Sequence, residues 1–497
     1  MGKPLSGGHW RAIAAISTLV MGAPAAASTP CALDPETDGP WFPSVVAFEH
    51  FDSGRTHAFR CASFGGTLEG KNVVAAEKIA GNALTPYNLV IGAGGARFVY
   101  GGAYGDFPGA PGSFVARLGR DGDEIWRTQL FDATIDRTWW NYPGVAGLHR
   151  NGLLYAAFGD AFAKIDPASG AVVARTRLPA AVDRKNVAYN GFNAFADGDF
   201  VMKSVHRADG CAEQGFSAFM KCDGEFNVAN STIAVVDPES MAIIASAEAP
   251  EHIGGRLTTA RFDGVDRLYL VGARSLYRYN WDGASLTHDE DWGPVRYILP
   301  GQSPAPAAAV LGDWIVLQTN AIPAKTPMSI VAVNQRDGRL VRLEPWENVP
   351  PWNYTFGSKS FLPAMLSVDP ENSRIYIMDG GYGLAAAYAF NQATGKMRLL
   401  WMKKQRTMNF STLIGPKDAR VLAATDIRGL CLFMRCLRDH DKEEVVFRNA
   451  ETGEEIARSE KLPKMTTGAL VTPGADGEFY YLGLAGDIYK ITVAAKE

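Results

Sequence analysis

The chain has 497 residues, 47% of them hydrophobic and 21% charged, with 52 glycines, 28 prolines and a formal net charge of −4. That balance describes a large, turn-rich globular protein with apolar residues enough for a core, and it excludes intrinsic disorder. The mildly acidic charge and the lack of a long basic stripe exclude a nucleic-acid or membrane-surface partner.

Residues 1–27 read as a secretory signal. Lys3 and Arg11 precede the apolar run Ala12 to Met21, and Ala25, Ala26 and Ala27 form a small-residue cleavage site, so a single mature domain is expected over 28–497. The apolar run is shorter than the ~18 to 20 residues a span needs, so no membrane span is expected in the mature protein. Export to the periplasm or beyond would oxidise the six cysteines: Cys211 with Cys222, Cys431 with Cys436, and Cys31 with Cys61 as the third pair. No CxxC or histidine-rich spacing accompanies them, so no metal site is expected.

Along the mature chain, SVVAFEHFDSGRTHAF (44–59) reads as a third and fourth strand lacking a first pair. β-Branched and aromatic strands follow at RFVYGGAYG, GLLYAAFGD, RLYLVGARS, DWIVLQTN, RIYIMDGGYG, RVLAATD and EFYYLGLAGD, each preceded by a short polar turn. Between them recur the turns DSG (52–54), RDG (120–122), DPASG (166–170), DPES (237–240), NWDG (280–283), QRDG (335–338), NQATG (391–395) and NAETG (449–453). A turn every few dozen residues between short strands marks a repeat fold, and the spacing predicts an eight-bladed β-propeller, with seven as the alternative count. The last unit, GALVTPGADGEFYYLGLAGDIYKITV, lacks a fourth strand, so the two chain ends are expected to close the ring together.

In such a ring the loops from fourth to first strand and from second to third strand open on one mouth. The first set carries Arg137, Trp140, Tyr142, Arg184, Arg256, Tyr354, Lys359 and Arg406. Guanidinium and ammonium groups around a concave, aromatic site suit a small sulfonate, sulfate or carboxylate. The competing reading is solvated loop residues, and for Trp140 packing between blades. The second set adds Asp160, Asp379, Asp426 and Asp487. Asp379, beside Gly380, Gly381 and Gly383, is the candidate base for water, against the plainer role of a turn-capping aspartate. Two long loops holding the cysteine pairs suggest a lid or a subunit contact. His252 is the only histidine on a mouth loop and reads as a surface residue. The sequence has no CxxCH, GxSxG, HExxH or P-loop pattern.

The turns that lead into a strand ending in tryptophan, NQATGKMRLLW and GRDGDEIW, resemble repeats of the pyrroloquinoline-quinone-type propeller superfamily over nearly the whole mature chain. The adjacent cysteine pair of its quinone-dependent alcohol dehydrogenases is missing. Within the superfamily, GQSPAPAAAVLGDWIVLQTNAIPAKTPMSIVAVNQRDG and SRIYIMDGGYG resemble the tetrathionate hydrolases of sulfur-oxidising bacteria. That resemblance implies an exported homodimer that hydrolyses a sulfur–sulfur bond of a polythionate without a cofactor. A carboxylate would activate water while donors stabilise the thiosulfate leaving group. Asp379 is the base that loop geometry favours. Asp313 lies in the stretch closest to the family, although its turn faces the other end of the channel. The alternatives are a quinone-dependent periplasmic dehydrogenase, holding pyrroloquinoline quinone and calcium over a channel tryptophan, a non-catalytic protein-binding propeller, and an arylsulfotransferase-like enzyme using His252.

Overall fold

A computed structural model describes residues 1–2, 39–103, 110–222, 228–320, 326–349, 360–361, 365–427, 430–432, 435–437 and 442–496. The expected leader falls almost wholly outside them. The described residues form eight blades, each built on four antiparallel strands, the architecture that the turn spacing predicts; Ala58–Phe59 adds a short parallel pair to the inner strand of blade 7. Blades 1 to 7 follow one another at 86–129, 145–177, 187–248, 257–288, 308–343, 367–404 and 412–458. The described residues from 39 onward belong to one compact unit.

Local chemistry explains the blade. The middle strands of blade 2, Leu154–Phe158 and Ala161–Ile165, are buried on both faces, whereas its fourth strand, Val172–Arg177, is exposed at alternate positions. Apolar, β-branched and aromatic residues therefore fill the interior strands and polar ones appear at the rim. The recurrent glycine has a packing reason. Gly170 has φ +77° and a Cβ there would lie 2.6 Å from the Trp126 ring of the preceding blade. Trp126 Nε1 donates to Pro167 O at 3.3 Å. Trp401 of blade 6 treats blade 7 the same way, lying over Gly453 and donating to Ala450 O at 3.0 Å. At these two turns the glycine is a socket for the tryptophan of the preceding blade.

The ring closes through both chain ends. Blade 8 takes Thr472–Pro473, Glu478–Leu482 and Ile488–Ala495 from the C-terminal side and Asn72–Ala80 as its outermost strand. This corrects the assignment of 44–59 to a blade. The closing strand is NVVAAEKIA, which pairs antiparallel with Ile488–Ala495 from Asn72↔Ala495 to Ala80↔Ile488. A blade assembled from two chain ends has no turn between its third and fourth strands, so only seven of the eight recurrent turns belong to blades. DSG (52–54) does not.

Residues 44–59 lie instead in the central channel, and Val46 to Phe59 are buried without a break. The innermost strand of a blade has an open edge whose N–H groups face the channel, and a buried N–H needs an acceptor. The segment supplies its carbonyls in rotation. Ile91 of blade 1 donates to Val46 O at 2.7 Å and Leu148 of blade 2 to Ala47 O at 2.8 Å. Asn193 of blade 3 donates through Nδ2 to Ser53 O at 2.8 Å. Thr259 of blade 4 meets Ser53 O at 3.2 Å, Val310 of blade 5 Gly54 O at 2.8 Å, Val368 of blade 6 Thr56 O at 3.0 Å, and Leu413 of blade 7 His57 O at 2.8 Å. As the chain advances, its carbonyls meet the blades in order. Such tight turning needs left-handed backbone at Phe51, Arg55 and His57, with φ of 77°, 55° and 59°. Each costs on the order of 1–3 kcal/mol and persists only because the surroundings fix it.

Both legs of this plug enter from the face that carries the turns between first and second strands. Arg150 N donates to Pro40 O at 2.8 Å at one such turn, and Gly415 N to Phe59 O at 3.3 Å at another. The tip, at Glu49 and His50, reaches toward the mouth. Among the described residues no helix is long and apolar enough to cross a membrane.

Candidate functional site

The plug tip meets the first strands of the blades in a charged cluster. Arg256, the last residue before blade 4, donates through Nη2 to Glu49 Oε1 at 3.0 Å and to Tyr87 Oη at 3.1 Å. Its backbone is fixed by a 2.6 Å bond to Pro306 O. Gly191 leaves room beside it, since a Cβ there would lie 3.0 Å from Arg256 Nη1. That Nη1 is buried and has no hydrogen-bond partner. On the other side, Arg55 donates through Nη1 to Glu49 Oε2 at 3.4 Å and through Nε to Leu257 O at 2.5 Å. Two guanidinium groups thus face one carboxylate.

The electrostatics follow from burial and these contacts. Burial alone would raise Glu49, but Arg256, His50 and Arg55 overcome it and hold the carboxyl far below the usual range. Burial pushes His50 down to about 4 against the pull of Glu49. Burial, then the charges of His50 and Arg55, hold His57 well below its ordinary value. At neutral pH the cluster is therefore one anion, two cations and two neutral imidazoles. Glu49 is 5% and Arg256 8% exposed, and Tyr87 beside them is half-buried.

Among the described residues, those predicted from sequence are spread around this cluster, and Arg256 alone of them lies within it. Arg184 is tied to Asp160 at 2.8 Å, a carboxylate that also takes Arg177 at 2.9 Å. Arg406 donates through its backbone to Asp426 at 2.9 Å, and Asp426 pairs with Arg458 at 3.0 Å. Arg137 is exposed. Trp140 is buried, donates to Gly215 O at 3.1 Å, and packs with half-buried Tyr142 at 4.7 Å and Phe219 at 5.4 Å. These rings form a small apolar core under the loop stapled by the Cys211–Cys222 disulfide. Cys61 is disulfide-bonded, Cys31 lies outside the described residues, and Cys431 and Cys436 face each other in a hairpin register. Tyr354 and Lys359 lie outside the described residues.

The two candidate bases sit elsewhere. Asp379 is fully buried, accepts from Trp346 Nε1 at 3.0 Å, and takes the backbone N–H groups of Gly381, Phe361 and Tyr382 at 2.8, 3.2 and 3.3 Å. Burial pushes it up to about 6 against those bonds. Its oxygens cap a turn and a neighbouring loop. Asp313 is on the opposite face, paired with Arg336 at 3.2 Å. His252, read from sequence as a surface residue, is 3% exposed and accepts from His206 N at 3.0 Å. The correction has a packing reason, since the Phe219 ring of the disulfide-stapled loop lies 5.8 Å from the His252 ring.

Sequence reasoning missed Glu49, His50, Arg55, His57 and Tyr87. The signal was present: EHFDSGRTH places five ionisable residues within nine positions, too many for a strand buried in a blade.

Quinone with calcium requires an open channel and a metal-holding donor set. The channel is filled by the plug, and among the described residues no group of three His, Cys, Asp or Glu side chains could hold a metal ion. The described residues do not fit that cofactor.

No family model matches the chain, and no curated protein matches it. Solved structures do. The quinohemoprotein alcohol dehydrogenase of Comamonas testosteroni aligns with a TM-score of 0.55 at 12% identity, over 90% of this chain and 80% of its own. That of Pseudomonas putida HK5 gives 0.54 at 13%, over 92% and 80%. A europium-containing methanol dehydrogenase gives 0.55 at 8%, over 93% and 98%. At such identities the likeness speaks to the fold alone.

Proposed function

We propose that this chain is an exported hydrolase of a small sulfur oxyanion, tetrathionate or another polythionate, which docks on Arg256 and uses Glu49 as its base. The observation that carries the reading is the unpartnered, buried Nη1 of Arg256 beside a carboxylate outnumbered by guanidinium groups. An arginine with a free fork position and a surplus of positive charge favours a sulfonate. Arg256 is also the largest influence lowering Glu49. An anion that offsets Arg256 therefore raises the basicity of Glu49 when substrate is present. Glu49 then takes a proton from water, the water oxygen bonds to a central sulfur, the central sulfur–sulfur bond breaks, and its electron pair leaves with thiosulfate. This places the base at Glu49 in preference to Asp379, whose oxygens are engaged, and Asp313, which faces away. The disulfide supports export.

A second reading, a protein-binding propeller, is favoured by a different observation: the channel is closed by the chain itself, and Arg184 and Asp426 are already paired. A dehydrogenase reading, as in the quinoprotein neighbours, draws on fold likeness and is opposed by the filled channel.

Purified mature protein is incubated with tetrathionate from acidic to neutral pH without added cofactor, following thiosulfate. The expected result is turnover lost in Glu49→Gln and Arg256→Gln and kept in Asp313→Asn. Absence of thiosulfate at every pH overturns the hydrolase, and gain of quinone absorbance after reconstitution with quinone and calcium moves the reading to the dehydrogenase.

A further inference from the structure

Behind Glu49, four polar side chains run in file toward the seam between blades 6 and 7: His50, His57, Ser367 and Ser411. None is more than 1% exposed. His50 Nε2 lies 3.1 Å from Glu49 Oε2, and His50 Nδ1 is hydrogen-bonded to His57 Nε2. His57 Nδ1 is 3.2 Å from Ser367 Oγ, which is 2.7 Å from Ser411 Oγ and 2.9 Å from Ser411 O. Phe410 covers both imidazoles, with ring centroids at 5.4 and 5.6 Å. The charged groups facing the file are Glu49 and Arg55 on the plug and Arg256 from blade 4, with Tyr87 flanking Arg256.

Buried donors must each point at an acceptor, and this file has two consistent ways to do so. In one, both imidazoles carry their proton on Nε2: Ser367 donates to His57, His57 to His50, and the His50 Nε2–H lies beside Glu49 at 3.1 Å as a charge contact without hydrogen-bond alignment. In the other, the Ser367 hydroxyl turns to Ser411 O. His57 then carries its proton on Nδ1 and gives it to Ser367 Oγ, His50 donates from Nδ1 to His57 Nε2, and one extra proton is shared between His50 Nε2 and Glu49. The two arrangements differ by a single proton, held by the Glu49–His50 pair, and by the tautomer of both rings.

We infer that His57 and Ser367 are positioning residues which set the tautomer of His50, so that Glu49 and His50 hold as one unit the proton lost by the attacking water. The inference rests on the Glu49 reading above. The water O–H bond breaks, its proton joins the pair, and the Ser367 hydroxyl swings from His57 Nδ1 to Ser411 O. Neither Ser367 nor His57 touches substrate. The left-handed backbone at His57 keeps its ring in the file.

The test is nitrogen-15 histidine NMR of the mature chain, titrated between about pH 4 and 8 with and without thiosulfate as the anion. The expected result is that His50 and His57 change tautomer together, at one midpoint. Ser367→Ala should separate the two rings although it does not touch His50, and Ser367→Thr should restore their coupling. In tetrathionate turnover Ser367→Ala should move the acid limb of kcat/KM by about one pH unit with thiosulfate affinity unchanged. Independent titration of the rings in the unmodified chain, or unchanged tautomers in Ser367→Ala, overturns the inference. Coupled rings without turnover would sink the hydrolase and leave the file standing as a proton-linked unit. Where Ser367→Ala fails to fold, His57→Asn, a residue that tolerates the left-handed backbone there, takes the second ring out of the file and should shift the midpoint of His50, and an unmoved His50 midpoint overturns the inference.

Discussion

The channel and the blade edges both hold arginines beside carboxylates, yet they solve opposite problems. At the edges the charged sets run to either sign and lie nearer water: Arg184 and Arg177, their side chains 38% and 62% exposed, on Asp160, and Arg458 on Asp426 and Glu444. In the channel, Arg55 and Arg256 share the single carboxylate of Glu49 away from water. Edge pairs gain little because solvent screens them. The channel set is held by sheer lack of alternatives, and its surplus charge is the property a ligand can use.

The comparison breaks most sharply at Arg256. Arg256→Leu leaves Glu49 buried with a weakened partner set, and breaking a buried pair costs about 3–5 kcal/mol. Chemical denaturation should show that loss, and thiosulfate binding should vanish with it. Acid titration sharpens the contrast next. His50 is about 4 in the folded chain and 6.5 as a free side chain, a depressed value, so its contribution is present above 6.5 and lost as pH falls toward 4. The full loss is on the order of 3 kcal/mol, and His50→Asn should flatten the stability profile across that window.

Glu443 gives the inverse case at the seam of blades 7 and 8. It accepts from Asn409 at 3.1 Å, its Oε1 is buried without a hydrogen-bond partner, and burial pushes it up to about 7. A raised carboxyl favours the protonated fold, so stability is full below 4.5 and is lost as pH rises through 7. Glu443→Gln should leave stability near unchanged at pH 4 and raise the melting temperature at pH 8, with a ceiling of about 3 kcal/mol. Gly453→Ala comes after it: the new Cβ would lie 2.6 Å from Trp401 at φ +73°, for a loss of about 1–3 kcal/mol seen in thermal melts. Smallest is Arg184→Met, where 38% side-chain exposure holds the cost below about 1 kcal/mol.

The blades were legible in sequence because their determinants are local. Alternating apolar strands and glycine turns repeat unit by unit, and NQATGKMRLLW carries both a turn that receives Trp314 and the tryptophan that fills the turn of the next blade. The plug was illegible for the same reason. SVVAFEHFDSGRTHAF alternates like a strand and contains a turn of the blade type, and what places it in the channel is the demand of seven open strand edges that no local pattern encodes. Asp379 shows the converse. Its glycine-rich turn was readable, but whether its oxygens meet a ligand or backbone N–H groups depends on Trp346 and Phe361 from another loop.

The closing strand Asn72–Ala80 lies just downstream of the plug and pairs with Ile488–Ala495 near the far end of the chain. Contacts so distant in sequence form slowly, because loop-closure entropy must be met before they reward it. The ring and its stopper are therefore expected to be completed together and late, after the blades whose contacts are local. The reverse holds for unfolding: the last blade cannot peel away without drawing on the segment that caps seven inner edges. Persistence of the folded ring is thereby set by the rate of that joint release, a kinetic protection that adds to its equilibrium stability.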